Sequence, residues 1–207
     1  MATSRTVLSI LCFAWSAGCA TTSNGKTWRL EHVRTITGFN TPECAAVDPS
    51  DGTVYVSNIF AVTRDAVGAL DSNGFIATLA PGGDLKELKA IRGTAALPVH
   101  GPSGMCFFGG YLYFNDRNNL KRCSLDKPSA IEVVPVPGTD HGFNDAGCDA
   151  NYVYVTGEDV IFRVDIKGQD GKWTDLKGVN GVKSWKGAMF AMTTTGQKSD
   201  LYELDPT

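Results

Sequence analysis

The sequence predicts an all-β protein, and within that class a β-propeller of the six-bladed type, incomplete, with about four blades present. Three observations point there. One phrase recurs: a turn, an apolar strand, a tight turn and a second apolar strand, as "NTPECAAVDPSDGTVYVSN", "HGPSGMCFFGGYLYFND", "GFNDAGCDANYVYVTG" and "GVNGVKSWKGAMFAMTT". No window of eleven or more residues sustains an amphipathic helix. Aligning the aromatic of each second strand (Tyr55, Tyr113, Tyr154, Phe190) gives separations of 58, 41 and 36 residues, the last two close to a blade repeat. Loops at 59–73 and 80–101 enlarge the first copy. A single four-stranded blade cannot bury both faces, so each needs neighbours. A sandwich of short strands is the competing architecture.

Taken in order, residues 1–20 read as an export signal. Arg5 precedes the apolar run "VLSILCFAWSAG", which is too short to cross a bilayer comfortably. Cleavage falls before Cys19, as in a bacterial lipoprotein, or after Ala20; an unprocessed apolar N-terminus is the alternative. The expected location is extracytoplasmic: secreted, periplasmic or held by a lipid at Cys19. The partial propeller domain follows at 27–207. Thr27 to Phe39 has an interrupted strand-like pattern centred on Val33 and Ile36.

Copy one carries strands at 44–48, 53–57, 74–79 and 85–91, and copy two at 104–108, 111–115, 119–125 and 131–136. Copy three carries them at 146–149, 152–156, 160–166 and 172–176, and copy four at 181–185, 188–193 and 200–205. "DPSDG" lacks the spacing and terminal Glu of a calcium-binding EF-hand and reads as a hairpin turn.

Composition narrows the function. A formal charge of −3 with no basic stripe argues against nucleic acid. The glycine-rich turns lack the Lys-Ser/Thr ending of a phosphate loop. Of six cysteines, Cys44, Cys106, Cys123 and Cys148 remain after processing, and the sequence selects no pairing. With no CxxC, a structural zinc site is not expected.

The residues at the heads of the copies carry the functional signal. Register on the turn before each first strand aligns Glu43, Ser103, Asn144 and Asn180. In a propeller the first strand of each blade lines the central channel, so these residues converge on one mouth. A carboxylate with amide oxygens suits a hard divalent cation, calcium before magnesium. The same residue types also serve as turn formers that cap their own backbone. His100 and His141 lie in loops near the heads.

The phrases "TPECAAVDPSDGTVYVSN", "FNDAGCDANYVYVTG" and "VNGV" make the chain resemble the six-bladed propeller superfamily of regucalcin (senescence marker protein), gluconolactonases and strictosidine-synthase-like proteins. The resemblance spans most of residues 38–205. It implies that Glu43 and Asn180 ligate a metal and that Asn144 lies beside the substrate; Ser103, at the same register, joins the substrate side. It also implies an Asp general base at the head of a further blade, which would fall beyond Thr207. The activity implied is metal-assisted hydrolysis of a lactone or ester, on a small-molecule substrate. The alternative is a non-catalytic propeller that binds a ligand or protein, including a second copy through an open blade edge.

Overall fold

The structure is a computed structural model that describes residues 32, 34–60, 70–136, 142–165, 171–196 and 198–205. The chain divides into two units, Met1–Gly38 and Phe39–Thr207. In the first unit His32 Nε2 pairs with Thr35 Oγ1 at 3.1 Å. Residues 34–37 form no strand, which corrects the strand-like pattern expected around Ile36. Ile36 is the one apolar residue among 34–37, too short a stretch to make a strand face. Val33 and the export signal at 1–20 lie outside the described residues.

The second unit is a β-propeller of four sheets, with no helix among the described residues. Blade 1 holds β1 (Pro42–Val47), β2 (Val54–Asn58), β3 (Phe75–Leu79) and β4 (Leu85–Arg92). Blade 2 holds β5 (Pro102–Phe108), β6 (Tyr111–Asp116), β7 (Asn119–Ser124) and β8 (Lys127–Val134). Blade 3 holds β9 (Ala146–Cys148), β10 (Val153–Thr156), β11 (Val160–Val164) and β12 (Lys172–Asp175). Blade 4 holds β13 (Val179–Trp185), β14 (Ala188–Thr193) and β15 (Leu201–Leu204). Within each blade, strands consecutive in sequence pair antiparallel.

Local chemistry sets these hairpins. Asp48 Oδ1 accepts from Ser50 N at 2.8 Å and Ser50 Oγ at 2.6 Å, so "DPSDG" turns β1 into β2 as a hairpin. Gly109 and Gly110, at φ 57° and 81°, close the tight turn between β5 and β6, where side chains would strain.

The core lies between blades. Tyr55, Ile76 and Ile91 of blade 1 pack on Met105, Leu112 and Phe114 of blade 2. Cys106, Tyr113 and Leu120 meet Val153, Val155 and Phe162 of blade 3. Tyr154 and Ile161 meet Val182, Met189 and Ala191 of blade 4. The aligned aromatics Tyr113 and Tyr154 are fully buried because each belongs to such an interface. Innermost strands therefore pack in succession, β1 on β5, β5 on β9 and β9 on β13.

Candidate axial site

Three of the head residues, Glu43, Ser103 and Asn180, sit where the innermost strands bulge. Pro42 pairs with Asn58 and Ala45 with Val56, so Glu43 and Cys44 face the single residue Ser57. Ser103 and Gly104 face Asn115 in the same way. Asn180 is the extra residue between the Val179–Thr193 and Gly181–Met192 pairs. A bulge re-aims side chains at a strand end and is a common way to build a rim. Asn144 stands just ahead of β9; its N–H donates to Thr156 O and its carbonyl accepts from Gly104 N, each at 2.9 Å. The aromatics Tyr55, Tyr113, Tyr154 and Phe190 pair with Ala46, Cys106, Gly147 and Lys183. Glu43, Ser103, Asn144 and Asn180 each fall three residues before these partners, at one register.

Two residues not singled out from sequence organise the centre. Asp145 Oδ1 accepts from Ala146 N at 2.8 Å and from Lys183 Nζ at 2.9 Å, while Oδ2 accepts from Val182 N at 3.0 Å. Lys183 Nζ also donates to Ala146 O at 2.7 Å and to Met105 O at 3.3 Å. One ammonium from blade 4 is thus held by oxygens of blades 2 and 3. Any side chain at position 104 would collide with the Asp145 carboxylate, so Gly104 is required there. Asp145 reads in sequence as half of an Asn-Asp turn. Lys183 leaves a clearer signal: it is a charge at the register that Ala46, Cys106 and Gly147 fill in the other copies.

Glu43 joins this pair from blade 1. It stays open to solvent, yet protein crowds it on several sides, as a channel position requires. That crowding, with the negative charge of Asp145, pushes its carboxyl up to about 7, against the opposing pull of Lys183. Crowding works against the Lys183 charge as well, but Asp145 and Cys44 outweigh it and hold the ammonium above its ordinary value. The side chains of Lys183 and Asp145 keep 53% and 16% exposure, so solvent still reaches the pair.

The other expected residues take different settings. Asn144 lines an open cleft of about 450 Å³ with Glu158, Gly178, Val179 and Thr194. Asn180 is half-buried, and its carbonyl accepts from Thr156 Oγ1 at 2.9 Å. Ser103 is only 8% exposed, and its hydroxyl is enclosed opposite Asn115 rather than presented at a rim. His100 accepts from Ser72 N through Nδ1 at 3.1 Å, and its backbone N–H is tied to Asp116. His141 lies outside the described residues. Among the described residues no group of three or more His, Cys, Asp or Glu is placed to hold a metal ion, so a cation here would depend on Glu43 with amide oxygens.

No protein-family model matches the chain, and no curated protein does. Solved structures do. A catalytically inactive virginiamycin B lyase from Staphylococcus aureus, crystallised with quinupristin, matches with TM-score 0.53 and 17% identity over 89% of this chain and 61% of that one. A gluconolactonase from Xanthomonas campestris matches with TM-score 0.57 and 15% identity over 82% of this chain and 60% of that one. A computationally designed protein, Ika4, matches with TM-score 0.52 and 12% identity over 86% of this chain and 100% of that one. These likenesses define the class as β-propeller. The chain spans about three fifths of the length of the lyase and of the gluconolactonase.

Proposed function

We propose that the chain belongs to a hydrolase of lactones or esters that works at the axial mouth with a divalent cation. The observation that carries this is Glu43: a carboxyl brought to about 7, beside Asp145 and Lys183 from two other blades. Perturbed carboxyls of this kind concentrate at functional sites. The fold is that of a gluconolactonase and of a lyase, which makes ring-opening of a small molecule the reaction class to test first.

The donor chemistry fits a hard cation in part. Glu43 with the amide oxygens of Asn144 and Asn180 would hold it, and calcium suits such oxygens. Lys183 opposes a second positive charge, but its ammonium is already neutralised by Asp145. The cation, when bound, would polarise a carbonyl oxygen and acidify a water. This chain's own groups hold and orient. Asn144 lines the cleft where a leaving ring oxygen or a hydroxyl could be held, and Glu43, ionised once the cation is beside it, supplies a carboxylate oxygen to that cation.

The test is hydrolysis of aldonolactones and aryl esters by the purified chain, in calcium and in chelator. Calcium-dependent turnover should appear and fall by about 100-fold or more in Glu43→Gln. Unchanged turnover in that variant, with its fold verified by circular dichroism, would remove the proposal. A second reading, a module that binds a protein or ligand without catalysis, is favoured by the exposed side chains of Trp185 (62%) and Leu201 (71%) on blade 4. It predicts no turnover with any lactone or ester.

A further inference from the structure

All four described cysteines carry free thiols, and two of them meet across a blade boundary. Cys106 lies in β5 and Cys148 in β9, innermost strands that pack side by side. Their thiols lie close enough for each to shift the ionisation of the other. The Cys148 thiol also donates to the carbonyl of Phe107, next to Cys106 in the chain, at 2.9 Å. Both residues pack in the apolar cluster between blades 2 and 3. Cys123 belongs to the cluster between blades 1 and 2, and Cys44, on β1, packs against that same cluster. Lactone or ester chemistry at the mouth makes no use of this thiol pair.

We infer that Cys106 and Cys148 form a redox-active dithiol that closes into a disulfide between blades 2 and 3 on meeting a low-molecular-weight disulfide. The two thiols differ in a way that orders the steps. Cys148 is half-buried and reachable, whereas Cys106 is 8% exposed. Contact with Cys106, and the nearby Lys183 ammonium, hold the Cys148 thiol below its ordinary value despite partial burial. Burial holds that of Cys106 well above.

Cys148 thiolate attacks one sulfur of the external disulfide; the new S–S bond forms as the old one breaks, and one thiolate leaves. Cys106 then attacks the Cys148 sulfur, expelling the second thiolate, which takes up the Cys106 proton. One disulfide is reduced to two thiols and one dithiol is oxidised, so electrons and protons balance. The product cross-links two blades beside the Lys183–Asp145 pair. An extracytoplasmic setting would favour the closed form.

The experiment incubates the full native chain with oxidised glutathione at neutral pH, alkylates the remaining thiols and maps peptides by mass spectrometry. A Cys106–Cys148 cross-linked peptide is expected in the wild type. Cys106→Ser should stop at a glutathione adduct on Cys148, and Cys148→Ser should leave Cys106 unmodified. Cross-links through Cys44 or Cys123 in its place, cross-links between chains, or full alkylation of both thiols after unfolding would overturn the inference. The wild-type map decides the matter even where a serine variant fails to fold.

Discussion

Glu43 shows what one bulge residue gains from distant neighbours. Its ordinary value of 4.5 rises to about 7 in the folded chain, so the folded state binds this proton more tightly than the unfolded state does. The associated stability is fully present below pH 4.5 and is lost as pH climbs through about 7. With chelator present, the wild type should therefore lose about 1 kcal/mol relative to Glu43→Gln across that window, the full shift being discounted because the carboxyl is solvent-exposed. Urea unfolding at about pH 5 and about pH 8 measures it; parallel pH profiles for the two proteins would contradict it. The register of Glu43, Ser103, Asn144 and Asn180 was legible in sequence because each follows a turn and precedes an apolar strand. Asp145 was not. Its partners Val182 and Lys183 lie 37 and 38 residues further on, and no local pattern announces such a bond. Nor could local pattern tell that Ser103 is enclosed, since a bulge decides which way a side chain turns.

At the scale of the element, blade 2 is fastened at its entry by a buried ion pair. Lys121 Nζ reaches Asp116 Oδ2 and Pro98 O, each at 2.5 Å, with side chains 3% and 0% exposed. Asp116 Oδ1 also accepts from His100 N at 2.9 Å and Gly101 N at 2.7 Å, which fixes the approach to β5 and hence Ser103. Lys121→Met leaves the Asp116 charge buried without its counterion and should cost about 3–5 kcal/mol in denaturant unfolding. A loss below about 1 kcal/mol would mean that the pair is not buried in solution. The fifteen strands of the described residues all fall on runs legible in sequence, β4 ("LKELKAI") and β12 ("KWTDL") least clearly, because the pleat alternates faces and both faces of a blade meet neighbours. The ends were less so. β8 begins at Lys127, four residues before its apolar pattern, because an outer strand can pair through its backbone while its side chains stay in solvent.

Among the described residues, burial is organised as three interfaces between successive blades, and that stacking turns separated strands into one centre. The repeat spacing made the stacking legible; the charges that meet within it emerge only once the strands are side by side. The central claim is that Glu43, Asp145 and Lys183 share one axial space although they come from β1, the entry to β9, and β13. The carboxyl titration of Glu43, followed by carbon-13 NMR in the wild type, Asp145→Asn and Lys183→Met, tests it most directly. A midpoint of about 7 is expected in the wild type, lower without the Asp145 charge and higher without Lys183. A Glu43 that titrates near 4.5 and ignores both substitutions would contradict the convergence.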